Sequence, residues 1–503
     1  MQHTPHAVLP FAPRLCFYFA FCTAFYLLFL FSPIHAIPLT IRHIAIEGNT
    51  RTHTSIIQRE LLFQSGDSLD TLKIAETERN LRKLYFLGNV HISIQTDSTW
   101  ADVTVRIQDL YARALSPLLS GNINELSYGL TALDFNFLGR GQTVQLTGFH
   151  DAITGNSARL YYRNPRLLES RHNFTSDIEI ADEGHFLYFS VNQPFYTLST
   201  SGSYGIAIYD QQQIERRYRG GALTARYTDR ISGGSVYLIR SYGNRIKMRP
   251  GIQVNFSDRR FTPEPGYTYA PQNRRRVLPS ALFTLWQPHY EKQTFVRELG
   301  RIEDLQMGSW ITTSIGISST ALASNQNFIF YRLQLVPRYQ YNNTFFFSEI
   351  SVNGRLQNSS YADLLTHAEL SIYTRIRTIH VIAFRARFDA LARPEDANQL
   401  LLGLTNGLRG YTPRRFDGTH RYTLNLEARP TLYQQSRFTL GAAAFFDVGD
   451  AWTSSSPSFN AAAGLGLRLA FAQVYDQPIL RTDLAYAFRD RSWQISFGLG
   501  HYF

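Results

Sequence analysis

Residues 459–471 read FNAAAGLGLRLAF, and the parity of this stretch decides the fold. Phe459, Ala461, Ala463, Leu465, Leu467, Leu469 and Phe471 share one face, while Asn460, Ala462, Gly464, Gly466, Arg468 and Ala470 share the other. A period of two belongs to a β-strand, whose successive side chains point to opposite faces. The pattern recurs downstream, where Leu480, Leu484, Tyr486 and Phe488 oppose Arg481, Asp483 and Arg489. It recurs again where Trp493, Ile495, Phe497, Leu499 and Phe503 oppose Gln494, Ser496, Gly498 and Gly500. A soluble sandwich also alternates. The mixture of Gly, Arg and Asp on the polar parity, with aromatics at strand ends, points instead to a barrel with lipid outside and a polar interior.

Short alternating segments broken by Gly, Asn, Asp, Pro and Ser fill the chain from Ala114 to Phe503. At roughly two dozen residues per strand and connection they predict about sixteen antiparallel strands, an all-β transmembrane barrel over residues 111–503. Strand side chains alone do not fill a lumen of that width, so another segment has to plug it.

Aromatic residues make up 14% of the chain, with 36 Phe and 29 Tyr, yet the mean hydropathy is only −0.21. Alternating barrel strands hide their apolar content from such an average. After residue 36 no apolar run is long enough for a membrane-spanning helix. A closed barrel is then the route into a membrane, because it pairs every backbone group internally. The net charge of +11 reads as a solvated basic face, or in a barrel as arginines lining the lumen and meeting lipid headgroups.

Arg14 precedes the apolar stretch Leu15–Phe31, which is followed by Ser32, Pro33 and Ala36. This is the layout of a secretory signal peptide over residues 1–36, a retained N-terminal anchor being the other reading. Cys16 and Cys22 both lie inside it. The mature chain then offers no disulfide, thiolate metal site or cysteine nucleophile.

Residues 37–110 follow a different rhythm. LTIRHIAIEGN alternates through Ile41, Ile44 and Ile46 and stops at the turn signal Gly48-Asn49. Thr54 opens a short helical pattern with Ile57, Leu61 and Leu62 on one side. A second helix over about 69–87 carries Leu72, Ala75, Leu81, Leu84 and Tyr85 near helical spacing, and strands through Val90-Ile92-Ile94 and Val103-Val105-Ile107 close a βααββ unit.

The stretch 401–452 carries the most chemistry. Its Gly-punctuated loop, LLGLTNGLRGYTPRRFDG, precedes two strands whose parity turns Glu427 and Asn425, and then Asp447, toward the lumen. Two inward carboxylates are tolerated in a wet lumen or beside a cation. Arg409 can bridge both with its planar fork, though an ordinary loop arginine and two solvated acids remain the alternative.

Leu408-Arg409-Gly410-Tyr411 resembles the Val/Ile-Arg-Gly-Phe/Tyr motif of the BamA/TamA-type superfamily, and FFDVGDAW (445–452) resembles its Phe-x-Asp-x-Gly strand. NFLGRGQ (136–142) and YYRNP (161–165) are similar to the family's first-strand pattern and next hairpin, and residues 39–109 resemble a polypeptide-transport-associated (POTRA) domain. The resemblance implies an outer-membrane barrel with a periplasmic α+β domain. It also implies an inward-folded loop locked by Arg409, Gly410 and Tyr411 on Glu427, Asp447 and Gly449, and a terminal Phe503 that serves in recognition by the assembly machinery. The function implied is insertion or translocation of proteins. The implied partners are unfolded outer-membrane or secreted clients, outer-membrane lipid and accessory lipoproteins, with no cofactor, metal or nucleic acid. Only one such domain can be fitted here, where the main bacterial insertase has several.

Enzyme motifs are missing from the sequence. None of the 14 His residues falls in an H-E-x-x-H arrangement, and neither G-x-S-x-G nor a phosphate loop occurs. Arg385, Arg387 and Asp389 read as a solvated wall. The rival functions are a pore for one dedicated cargo and an outer-membrane enzyme.

Overall fold

A computed structural model describes residues 39–503 apart from 300–301, 378, 395–397, 436–437, 455 and 472–478. The signal-peptide reading of residues 1–36 falls outside the described residues.

The first unit comprises β1 (Thr40–Glu47), α1 (Thr54–Gln58), α2 (Thr71–Arg82), β2 (Leu87–Thr96) and β3 (Trp100–Asp109). Its sheet has the order β1-β3-β2, with β1 parallel and β2 antiparallel to the central β3. The predicted order of elements is the observed one, but the second helix is shorter than the expected 69–87. Asp70 caps its start, accepting from the amides of Leu72 (2.9 Å) and Lys73 (3.3 Å), as N-cap aspartates do. Its inward face is the expected one only in part: Leu81 is buried as expected and so are Ile74 and Thr77, whereas Leu72 is 80% exposed. The expected positions fail only in the first half of the helix, where Leu72 and Ala75 are exposed and Ile74, between Lys73 and Ala75, carried no weight; Leu81, Leu84 and Tyr85 do pack on the core.

Asp109, at the end of β3, fixes the turn before α1 by accepting from the amides of Arg51 (2.6 Å) and Thr52 (3.1 Å) and from the Thr52 hydroxyl (2.5 Å). Burial alone would raise its carboxyl, but these three donors outweigh it and hold the group below the usual carboxylate range. A depressed carboxyl stabilises the fold above its unfolded pKa and loses that contribution as pH falls through the folded value. Acidification below the usual carboxylate range is therefore expected to speed hydrogen exchange at Arg51 and Thr52. Asp109→Asn should do so at neutral pH by about 1 kcal/mol, and unchanged exchange would refute this account.

The same turn docks onto the second unit. Asn136 donates from Nδ2 to the Thr52 hydroxyl (2.8 Å) and accepts from the Gly141 amide (2.7 Å). Buried Glu60 receives Arg166 (2.8 Å) and the Tyr196 hydroxyl (2.5 Å), and Glu76 of α2 accepts from the Leu198 amide (2.6 Å).

That second unit is a closed antiparallel barrel of twenty strands, running from Arg113–Asn122 to Ser492–Leu499. Two of the twenty are interrupted. Phe328–Val336 continues as Arg338–Tyr341 and His420–Arg429 as Thr431–Gln434, each pair of segments bonding to one neighbour. The breaks fall at Pro337 and Pro430, which have no N–H to give the ladder. The expectation of about sixteen strands is thus too low. It assumed long connections, whereas several hairpins turn in two residues, among them Asp182-Glu183 and Gly220-Gly221. At Gly220 and Gly221 the backbone has φ of +56° and +84°, a region that glycine enters freely.

The apolar parity faces outward: Leu465, Leu467, Trp493 and Phe459 are all well exposed. One joint in the wall is short. The last strand pairs with its predecessor from Leu480–Leu499 to Ala487–Ser492. With the first strand its register holds only at Ser496–Asn122 and Phe497–Gly121.

Candidate functional site: a buried arginine network inside the barrel

The loop between strands His380–Ala392 and His420–Arg429 folds back into the barrel instead of standing in solvent. Within it Leu400–Leu402 pairs with Phe416–Gly418. Leu402, Leu408 and Tyr411 bury themselves against Ala451, Ala462 and Ala487 of the wall. Small wall residues let the loop approach closely. A Cβ on Gly410 (φ +89°) would stand 3.1 Å from the Ala462 Cβ, and one on Gly449 would stand 2.8 Å from the Tyr422 carbonyl oxygen. The Tyr411 hydroxyl donates to the carbonyl of Ala461 (3.1 Å).

This seating carries Arg409 to full burial. Its Nε and Nη2 reach the two oxygens of Asp447 at 2.7 and 2.9 Å, and its Nη1 reaches Glu427 at 2.5 Å. The fork thus spans two strands, with Asn425 donating to Asp447 (2.8 Å) and to the Gly407 carbonyl (2.8 Å). Arg409, Gly410, Tyr411, Glu427, Asp447 and Gly449, all named from the sequence, come together in one place.

The network is larger than that set. Arg468 donates to Asp483 (2.7 Å) and to Glu427 (3.3 Å), Arg429 to Glu427 (2.6 Å), and Arg481 lies 3.4 Å from Asp483. Charges this deeply buried are tolerable only when each is paired. Here the guanidinium of the loop interleaves with three guanidiniums and three carboxylates carried by four successive strands of the wall. Parity had already turned Arg468, Arg481 and Asp483 inward, so a search for mutual partners among inward charges could have found them.

The aromatic contacts were missed altogether. The Arg409 guanidinium lies 3.5 Å from the Phe445 ring centroid and 4.1 Å from that of Tyr502, a cation sandwiched between two π faces. Tyr502 also accepts from the Gly407 amide (3.0 Å) and donates to the Leu404 carbonyl (2.7 Å). It gets there because the chain leaves the last strand at Gly500 (φ +80°) and turns into the lumen. Phe503 follows it inward and is partly buried. Its ring lies 4.9 Å from the Arg385 guanidinium and 4.8 Å from that of Arg429, and its backbone oxygen accepts from Arg429 (2.8 Å). Phe503 therefore does not continue the outward face of the last strand as its parity suggested, because the turn at Gly500 breaks the register.

Beyond the network the loop crosses the far mouth of the barrel. Asp417 accepts from the Gly220 amide (2.6 Å), Gln399 accepts from the Tyr218 amide (3.1 Å), and Arg414 pairs with Glu125 (2.6 Å). The loop therefore bridges opposite walls. Arg385 donates to Asn425 (2.9 Å), and Arg387 and Arg421 both meet Asp389 (2.8 Å), so this trio is a paired part of the wall.

Residues 39–109 match the family model described as "POTRA: Surface antigen variable number repeat". The outer membrane protein assembly factor BamA of Neorickettsia risticii (strain Illinois) is 25% identical over 236 residues, 45% of this chain and 31% of that protein. The chain thus spans about a third of the length of the curated relative it matches. Among solved structures, CdiB from Escherichia coli superposes with a TM-score of 0.51 at 10% identity, covering 92% of this chain and 76% of that one. The crystal structure of BamA from Haemophilus ducreyi lacking POTRA domains 1-3 gives 0.45 at 14% identity, covering 92% and 85%. The likeness to CdiB is one of fold.

Proposed function

We propose that this chain, a POTRA-plus-barrel protein of the BamA/TamA type seated in the outer membrane with its POTRA domain in the periplasm, inserts client β-barrels through the joint between its first and last strands. The observation that carries the reading is that joint, held in register at only two residue pairs. Strand edges with unpaired N–H and C=O groups are templates for another strand. A client that pairs there buries its own apolar face in lipid, and that burial drives the reaction without a nucleotide.

The arginine network fits this role by stiffening one side of the joint. Glu427, Asp447, Arg468 and Asp483 sit on the four strands that precede the last one. Tying those strands to one loop arginine confines opening to the neighbouring joint. Clients would first add to an edge of the β1-β3-β2 sheet, where β1 and β2 each have a free side among the described residues. The partners on this reading are unfolded outer-membrane or secreted chains, outer-membrane lipid and accessory lipoproteins.

The test is to lock the joint. Asn122→Cys with Ser496→Cys places two thiols at register partners, with no cysteine after Cys22 to compete. Oxidised protein in liposomes is expected to lose its acceleration of client-barrel folding and to regain it on reduction. Undiminished acceleration with the joint locked would refute insertion at this place. Ion conductance without acceleration by the unlocked protein would favour the dedicated pore.

A further inference from the structure

The connection between strands Arg274–Trp286 and Trp310–Ser318 is not a simple turn. It contains a hairpin of its own, Tyr290–Thr294 paired with Ile302–Gln306, that joins no barrel strand among the described residues. We propose that this hairpin is a resident plug of the periplasmic mouth, held in place by α2 of the POTRA domain, and that it relays movement of that helix to the C-terminal tail.

Two sets of contacts define it. Toward the POTRA domain, Asp304 takes a two-pronged bond from Arg82 of α2, at 2.8 Å from Nε and 2.7 Å from Nη2. The Arg79 guanidinium lies 4.3 Å from the Tyr290 ring centroid, and Lys292 lies 3.8 Å from Glu78. A fork-to-carboxylate bond is directional, so it fixes orientation as well as proximity.

Toward the lumen, the hairpin buries Val296, Leu305 and Met307 in a cluster with Phe345, Phe347 and Tyr373 of the wall, and Phe503 packs against the same cluster. Arg375 of the wall donates to the Thr294 carbonyl (3.0 Å). The attachments thus lie on opposite faces of one short element, since Asp304 and Lys292 are register partners and Leu305 and Met307 have the other parity: charged and directional toward the helix, apolar toward the tail. Phe503 is bonded to Arg429, Arg429 to Glu427, and Glu427 to Arg409. An unbroken series of contacts therefore runs from α2 to the buried network.

A twenty-strand wall cannot fill its own lumen. The folded-back loop closes the far mouth and the hairpin closes the near one. Coupling through packed elements becomes physical when one of them has two discrete positions, and a hairpin tethered to a separate domain on one side can be seated or withdrawn as a unit.

The full chain in planar bilayers tests the plug, and conductance reads it whether or not the chain inserts clients. Asp304→Ala is expected to raise the time spent open severalfold while the barrel keeps its heat-modifiable migration. Arg82→Cys with Asp304→Cys should behave like Asp304→Ala when untreated, and close again once the thiols are bridged by a short bifunctional reagent. A closed Asp304→Ala, or a bridged variant that stays open, would overturn the plug. The relay has its own readout: hydrogen exchange at residues 500–503 is expected to rise in Asp304→Ala and to return on bridging. Unchanged exchange there would overturn the relay.

Discussion

Arg409→Ala is expected to release the folded-back loop while leaving the barrel closed. The substitution removes the cation from between Phe445 and Tyr502 and strands the acids it bridged. They do not suffer equally. Glu427 keeps Arg429 and Arg468, whereas Asp447 is left with the Asn425 amide. Removing one partner of a buried ion pair typically costs about 3–5 kcal/mol, more than any one of the hydrogen bonds through which Gly407, Tyr411 and Asp417 also hold the loop contributes. The wall's backbone ladder does not depend on Arg409. Trypsin reports the difference, since Arg414 and Arg415 lie in the loop: the variant should be cut there while it still migrates as a folded barrel. Arg409→Lys should restore protection only in part, because an ammonium cannot bridge two carboxylates in a plane. Full protection of Arg409→Ala would show that the loop is seated by its other contacts without the buried arginine.

Glu427→Gln should act on the wall itself. Glu427 receives Arg409, Arg429 and Arg468. Its neutralisation leaves four guanidiniums facing two carboxylates at a site closed to water. The cost is again about 3–5 kcal/mol, and it is expected to lower the temperature at which the purified barrel loses its heat-modifiable form. The double variant Glu427→Gln/Arg429→Met removes one charge of each sign and should recover part of that loss, as contacting groups are not additive. A double variant no better than the sum of the singles would mean that charge balance is not what Glu427 supplies.

The parts of this site that were readable from the sequence are those that obey strand parity. Alternation turned Glu427 and Asp447 to the same side, and the Gly-rich loop before them offered Arg409, so these three could be placed together from spacing and resemblance. Tyr502 could not, because a single residue, Gly500, redirects the chain, and parity has no means of recording a change of direction. The hairpin at Tyr290–Gln306 escaped for a related reason: its segments YEKQT and IEDLQ are short and carry no apolar alternation to mark them as strands. What makes them strands is their pairing with each other, which is a tertiary fact. Strand number failed on connection length, a quantity that composition constrains poorly where glycine pairs and short acidic turns replace loops. In α2 the miss was confined to its first half, where Ile74 rather than Leu72 is buried, while Leu81 packs on the core as its spacing suggested.

With an even number of strands, the barrel begins and ends on one side of the bilayer, the side where the POTRA domain is attached. The chain end that grips Arg409 is thus reachable only from within the cell envelope. An antibody or phage arriving from outside meets the Gly220-Gly221 turn and the loop anchored there and at Glu125, and would disturb the network by pulling on those anchors. Exterior and interior agents would therefore need different handles on the same charged cluster.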